Sequence, residues 1–143
     1  MDAPKILKQP DLGFLIIRVM FGVVGVYHGS QKVFGAFGGH GIDGFAQFLG
    51  SLHVPVPVLS AWAAALTELV GGVLIALGLV PRIAAAFFAF TMLTAFMTAH
   101  KGSFDSAHGG NDYPFALALV AIGLIFTGAG RFSLARLFGR KTA

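Results

Sequence analysis

Four long apolar runs alternate with short polar segments along the chain. The runs extend over Leu12 to Tyr27, Val58 to Val80, Ile83 to Ala99 and Pro114 to Ala129. Each run is close to the ~20 residues that an α-helix needs to cross ~30 Å of hydrocarbon. The pattern therefore predicts an all-α membrane protein whose fold is a bundle of four transmembrane helices.

The segment between the first two runs carries a shorter pattern. Between Gly41 and the sequence Pro55-Val56-Pro57, apolar residues recur at helical spacing: Ile42, Phe45, Phe48, Leu49 and Leu52. Because proline interrupts a helix, this helix is expected to end before Pro55. We predict a short amphipathic helix at the membrane interface, which serves either as a lid over the mouth of the bundle or as an interfacial anchor.

The composition agrees with a membrane protein, since 56% of the residues are hydrophobic, 11% are charged and the mean hydropathy is +0.81. The connections are too short for a separate soluble domain, so residues 1–143 are expected to form one domain. The chain has no cysteine, which excludes disulfides and thiolate chemistry. Its net charge of +4 comes from basic residues at the ends of the runs, which suits lipid headgroups and argues against a nucleic-acid partner.

The basic residues also predict an orientation, because short loops rich in Lys and Arg stay in the cytoplasm. One side of the predicted spans carries most of them: Lys5, Lys8, Arg82, Arg131, Arg136, Arg140 and Lys141. The other side carries Lys32 and Lys101. We therefore expect a multi-pass protein of the plasma (inner) membrane with both termini in the cytoplasm.

Two charged residues fall inside the apolar runs, Arg18 in the first and Glu68 in the second. At ~1.5 Å per residue, they are expected ~10 Å and ~18 Å from the cytoplasmic surface. An unpaired charge at such depth is costly, so the sequence predicts that Arg18 and Glu68 pair or share a polar cavity. Such a pair either serves a function or only fixes the order of the helices.

Small or polar residues on one face of each run are expected to line the interior of the bundle, because small side chains allow close helix packing. On the first two runs these faces are Gly22, Gly25 and Gly29, and Ala61, Ala64, Ala65, Gly71 and Gly72. On the last two runs they are Thr91, Thr94 and Thr98, and Ala116, Gly123, Thr127 and Gly130.

Two histidines lie at the ends of apolar runs, beside lysines. His28 precedes Lys32 by one helical turn, and His100 is adjacent to Lys101. Both side chains are expected at the outer face, where they border hydrocarbon and water, and ionisable residues in such positions are candidates for a function.

Several motifs together resemble the DoxX family of small four-span membrane proteins. In chain order they read RVMFGVVGVYHGSQKVFG, GFAQFLGSLHVPVP, ELVGGVLIALGLVPRIAA, TAH and GAGRFSL, and they cover nearly the whole chain. The residues that match the family pattern are Arg18, His28, Gln31, Lys32, Glu68, Gly71, Arg82, His100 and Arg131.

The resemblance implies chemistry with quinones. The family takes its name from a subunit of a thiosulfate:quinone oxidoreductase, and relatives are linked to catechol and hydroquinone. By this resemblance the protein is a quinone-linked redox subunit or a handler of small aromatic molecules, with quinone as the cofactor or ligand. A metal or haem is not expected, because histidines at helix ends are common and the outer histidines lack the close spacing of a metal site. The expected catalytic residues are Glu68, His28 and His100, and the expected ligand-binding residues are Arg18, Lys32, Gln31 and Tyr113.

The sequence also predicts one outward-facing polar pocket between the four helices. We expect it to be roofed by the helix from Ile42 to Leu52 and lined by His28, Lys32, Glu68, His100 and Tyr113.

Other classes of function remain open from the sequence. A carrier for a small molecule or a proton would use Arg18 and Glu68 as its site in the middle of the membrane. A scaffold without catalysis would bind peripheral partners through its basic C-terminal tail. Besides the lipid bilayer, a redox partner protein and a second copy of the chain are both compatible with the pattern.

Overall fold

The computed structural model describes residues 9–99 and 103–139, and within these ranges the chain is helical and contains no β-strand. The helices are α1 (Pro10–Phe34), α2 (Gly41–Ser51), α3 (Pro57–Leu77), α4 (Pro81–Thr98), α5 (Asp112–Thr127) and α6 (Leu134–Leu137). Short 3₁₀ turns at Ala36–Gly38 and Ser106–His108 lie in the connections. The all-helical prediction is confirmed, and the predicted amphipathic helix is present as α2.

Three of these helices are long and apolar enough to cross a membrane by length and composition: α1, α3 and α4. Each of the three has a proline in its first turn, where the missing N–H would have no partner within the helix. The run expected to form the fourth span is helical as α5, which is apolar but has only 16 residues. The described residues thus contain three candidate spans and one shorter apolar helix.

Helices α1 and α3 run antiparallel and touch through their backbones. A Cβ atom placed on Gly25 would lie 2.9 Å from Cα of Gly72, and one on Gly29 would lie 2.6 Å from the backbone nitrogen of Leu69. Gly22 makes room for the side-chain Cβ atom of Ala76. The small-residue faces that the sequence predicted for the first two runs are therefore confirmed as a close helix–helix interface.

The main core lies between α1, α3, α4 and α5. Phe21 and Phe88 pack edge to face at its centre, with ring centroids 5.0 Å apart. The core residues of α4 and α5 are Ala84, Ala85, Phe88, Ala89, Met92, Leu117, Ala118, Ala121 and Leu124. Apolar rings and small side chains thus fill the interior.

This core shows that the faces predicted for the last two runs were wrong. Thr94 is exposed, and so are Ala116, Gly123 and Thr127. The hydroxyl of Thr94 donates to the carbonyl of Phe90 at 2.9 Å, so the threonine is satisfied within its own helix and needs no partner in the interior. The faces that carry alanine, leucine and phenylalanine turn inward instead.

Gly25→Ala is expected to lower the free energy of unfolding by about 1–3 kcal/mol, because the added methyl group would push α1 away from Gly72. Gly123→Ala is the matched control, since a Cβ there meets no atom within 4 Å, and a helical alanine replaces a more flexible glycine at a gain of about 0.5–1 kcal/mol. Reversible unfolding in mixed detergent micelles would measure both. Equal losses for the two variants would contradict the close approach of α1 and α3.

Candidate functional site

An ion pair between Lys32 and Glu68 joins the last turn of α1 to the middle of α3. Lys32 Nζ donates a hydrogen bond to Glu68 Oε2. The Glu68 side chain is 5% exposed and that of Lys32 is 23% exposed, so both charges are largely removed from solvent. The Lys32 ammonium also lies 5.1 Å from the ring centroid of Phe45 in α2, within the range of a cation–π contact.

Glu68 lies in a π-helical turn, Thr67–Gly71, within α3. Such a turn places an extra residue in the helix and changes the direction of the side chains around it, and π-turns occur frequently at functional sites. The apolar pattern of the run gives no sign of this turn.

The predicted pairing of Arg18 with Glu68 is wrong. Arg18 is completely buried, but its Nη2 donates to the carbonyl oxygen of Phe132. Its guanidinium packs against Gly78, where a Cβ atom would collide with it. Because α1 and α3 are antiparallel, Arg18 lies at the Gly78 end of α3, ten residues or ~15 Å along the helix from Glu68. Arg18 is therefore not a ligand-binding residue of this site; it attaches the chain after α5 to the end of the bundle.

Four of the predicted site residues surround one cavity of about 190 Å³: His28, Lys32, Glu68 and Tyr113. The rest of its wall is mostly apolar: Val24, Phe88, Met92, Ala95, Pro114 and Leu117. The rings of His28 and Tyr113 have their centroids 6.1 Å apart. We call this space the ring cavity.

The side chain of His28 is oriented by Gln31, because His28 Nδ1 and Gln31 Oε1 are hydrogen-bonded at 3.0 Å. Gln31 Nε2 in turn donates to the carbonyl of Phe37 at 3.4 Å. Gln31 does not line the ring cavity, so the structure gives it a positioning contact with His28. His100 lies outside the described residues.

Tyr113 is placed by the ordered connection before α5. The carboxylate of Asp112 accepts the backbone N–H of Tyr113 at 2.7 Å and the hydroxyl of Ser106. Within the same connection, the backbone N–H of Ala107 and then the ring of His108 lower the pKa of Asp105, because both favour its ionised form. These contacts fix the start of α5 and with it the position of Tyr113.

A larger cavity of about 520 Å³ lies on the other side of the ion pair, between α2, α3 and α4. Lys32 and Glu68 stand in its wall together with Phe45, Phe48, Leu49, Val54, Ser60, Ala63, Ala64, Thr67, Phe87, Phe90, Thr91, Thr94, Ala95, Thr98 and Ala99. We call this space the groove. The predicted single pocket roofed by the helix from Ile42 to Leu52 is therefore wrong in one respect, because α2 covers the groove and does not line the ring cavity.

A third cavity, of about 280 Å³, lies under the glycine-rich segment before α2 and also reaches Lys32. Lys32 thus borders three cavities and Glu68 borders two. Across residues 9–99 and 103–139, no group of three His, Cys, Asp or Glu side chains is placed to hold a metal ion.

A double-mutant cycle distinguishes the two possible partners of Glu68. Glu68→Gln and Lys32→Met are expected to be coupled by about 1–3 kcal/mol in the free energy of unfolding, because each single change strands a charge away from solvent. Glu68→Gln and Arg18→Met are expected to add within about 0.5 kcal/mol, since the two sites share no contact. The opposite result, coupling with Arg18 and additivity with Lys32, would contradict the described pairing.

The chain matches the DoxX family model over residues 13–101. It is 34% identical over 123 residues to a Bacillus subtilis (strain 168) protein named "Putative oxidoreductase CatD", covering 85% of this chain and 84% of that protein. It is 31% identical over 128 residues to "Inner membrane protein YphA" of Escherichia coli (strain K12), covering 85% of this chain and 87% of that protein. No solved structure matches the chain. The chain belongs to the DoxX family of membrane proteins.

Proposed function

We propose that the protein binds a single aromatic ring with two oxygen substituents, a quinone, hydroquinone or catechol, in the ring cavity, and that it acts in quinone-linked redox chemistry. The observation that carries the proposal is a largely buried Lys32–Glu68 ion pair that faces a cavity of ring size. The oxidoreductase name of the Bacillus subtilis relative supports the class of reaction.

The dimensions of the ring cavity suit one ring. An apolar cavity of ~150 Å³ in another protein binds benzene, and the ring cavity is slightly larger, at about 190 Å³. Phe88, Met92 and Leu117 offer apolar surface to the faces of a ring. The remaining volume leaves room for the two oxygen atoms.

The polar groups of the cavity suit the chemistry of those oxygens. The Lys32 ammonium and the Tyr113 hydroxyl donate hydrogen bonds to quinone carbonyls. The Glu68 carboxylate accepts a hydrogen bond from a hydroquinone hydroxyl and takes its proton on oxidation. His28, whose ring also lines the cavity, accepts a hydrogen bond from the second hydroxyl and takes its proton. His100 is proposed to take part in the same proton transfer. A redox partner protein or a membrane-soluble acceptor receives the two electrons that leave with the two protons.

The same site could serve a carrier for protons or small molecules, since two cavities meet at the ion pair. Toward the Arg18 end, however, the bundle is tightly packed: Phe21, Ile75 and Ala121 are completely buried in the core. A site that is open at one end and packed at the other favours ligand binding over passage through the membrane.

For the membrane arrangement, we propose four crossings, with both termini in the cytoplasm and the ring cavity opening toward the outer face. α5 is ~24 Å long, which is shorter than the hydrocarbon core, and local thinning of the bilayer accommodates a helix of this length. Arg82 and Arg131 flank α4 and α5 at the end of the bundle where α1 begins, and Lys32 lies at the other end. The name of the Escherichia coli relative supports a location in the inner membrane.

Catechol binding tests the ring cavity. His28→Ala and Glu68→Gln are each expected to weaken catechol binding about tenfold, because one hydrogen bond to the ligand is lost. Thr127→Ala, on the exposed side of α5, is the control and should leave binding unchanged. Calorimetric titration in lipid nanodiscs, with the unfolding temperature measured in parallel, separates lost binding from lost folding. Unchanged affinity in His28→Ala and in His100→Ala would remove the ring cavity from the proposal.

The orientation is testable with reporter fusions. Alkaline phosphatase inserted between residues 103 and 110 is expected to be active, because that connection lies outside the cytoplasm in a four-span arrangement. The same reporter after Lys141 is expected to be inactive, and a fluorescent protein there should fluoresce. Phosphatase activity at both positions, or at neither, would contradict four crossings with cytoplasmic termini.

A further inference from the structure

We infer that the groove is a second binding site, which takes a single-chain, uncharged lipid-soluble molecule whose small hydrogen-bonding head reaches the Lys32–Glu68 pair. This site differs from the ring cavity in its walls and in the side from which a ligand enters. It shares only the ion pair and Ala95 with the ring cavity.

The wall of the groove is mostly apolar, and two of its threonines use their hydroxyls within their own helix. The hydroxyl of Thr94 donates to the carbonyl of Phe90 at 2.9 Å, and that of Thr98 donates to the carbonyl of Thr94 at 2.7 Å. Both hydroxyls are therefore satisfied within α4, and no ligand is needed to pair them. Phe87 and Phe90 are 62% and 69% exposed, so α4 carries the groove to the lipid-facing surface of the bundle. A hydrocarbon chain can enter from the bilayer without leaving apolar surroundings.

The ion pair closes the groove deep inside the membrane. Glu68 is ~16 Å along α3 from Pro57, which is about half of the hydrocarbon thickness. A phospholipid keeps its charged headgroup at the surface, because moving a charge to this depth is costly. An uncharged head, such as a hydroxyl or a carbonyl, reaches the same depth at a much smaller cost.

The pair has hydrogen-bonding capacity that its own salt bridge does not use. An ammonium group has three N–H donors, and a carboxylate accepts about four hydrogen bonds. Among the described residues, Lys32 is the hydrogen-bond partner of Glu68, and the ring of Phe45 lies near the same ammonium. Because the pair is neutral as a whole, it favours a head that both donates and accepts rather than an ion.

Helix α2 supplies the cover of this site. Phe45, Phe48 and Leu49 of α2 stand in the wall of the groove opposite α4. Phe45 contacts both the groove and the Lys32 ammonium, so the cover touches the group that would bind the head. Of the two functions that the sequence leaves open for this helix, a lid fits this placement better than a simple anchor.

Tryptophan quenching by brominated chains tests the inference. Trp62 is the chain's single tryptophan, so a Trp62→Phe, Phe90→Trp variant has its only tryptophan at the lipid-facing edge of the groove, where saturable quenching separates a bound chain from chains in the bulk lipid. In nanodiscs, 11-bromo-1-undecanol is expected to quench this tryptophan saturably at about one molecule per protein, and plain undecanol should reverse the effect. 1-Bromoundecane, which lacks the hydroxyl, should quench only in proportion to its amount in the lipid.

Three further substitutions, one of them a control, locate the site. Thr91→Phe, which fills the groove, is expected to abolish saturable quenching, whereas Leu119→Phe, on the exposed face of α5, should leave it unchanged. Lys32→Met should weaken binding of the alcohol at least tenfold. The unfolding temperature of this variant, measured in parallel, separates lost binding from lost folding.

Equal quenching by the alcohol and the alkane would overturn the inference. Equally strong quenching by dibrominated phosphatidylcholine would also overturn it, because the groove would then be an ordinary lipid contact. Catechol titration of the same variants separates the two proposals. Loss of saturable quenching with intact catechol binding would contradict the groove site and support the ring cavity. Loss of catechol binding alone would contradict the ring cavity and support the groove site.

Discussion

The backbone contact between α1 and α3 determines which charged side chains of these two helices meet at the candidate site. Gly25 and Gly29 let the two helices approach until main-chain atoms of α3 fill the space that side chains would occupy, and Gly22 makes room for the Cβ atom of Ala76. This contact sets the register between two antiparallel helices, so Lys32 lies beside the turn that contains Glu68. The same register places Arg18 at the opposite end, against Gly78.

The buried ion pair is a consequence of that register, and the ring cavity and the groove are a consequence of how the other helices pack around the pair. Coulombic attraction is strong in hydrocarbon, but removing two charges from water is costly, so such a pair contributes little to net stability by itself. A pair retained in this setting suits a binding role, in which a ligand uses the remaining hydrogen-bonding groups. α5 brings Tyr113 to one side of the pair, and α2 brings Phe45 to the other.

Much of the fold was predictable from periodicity and composition, because apolar runs of spanning length and small-residue faces are local signals. α2 and the glycine faces of α1 and α3 follow from these signals. The buried faces of α4 and α5 could not be predicted from these signals. Threonine satisfies its hydroxyl within its own helix, and alanine packs equally well inside the bundle or against lipid.

The sequence predicted which residues form the candidate site better than it predicted which of them form the ion pair. His28, Lys32, Glu68 and Tyr113 were expected together and line one cavity, although their roles remain predictions. The partner of Glu68 was missed because the depths of Arg18 and Glu68 in the membrane were counted along each helix separately. The long arginine side chain was then assumed to span the difference between the two depths. Aligning the glycines, with Gly25 opposite Gly72 and Gly29 opposite Leu69, would have favoured Lys32. The π-turn and the division into two cavities depend on tertiary packing and have no local signal.

Infrared difference spectroscopy tests the central claim that a ligand contacts the Lys32–Glu68 pair. Catechol added to the protein in lipid nanodiscs is expected to shift the carboxylate stretching bands of one glutamate. The sequence has a single glutamate, Glu68, so ¹³C labelling of glutamate assigns the band, and Glu68→Gln should remove it. A catechol-saturated sample with an unchanged Glu68 band would show that the ligand binds elsewhere and would contradict the account.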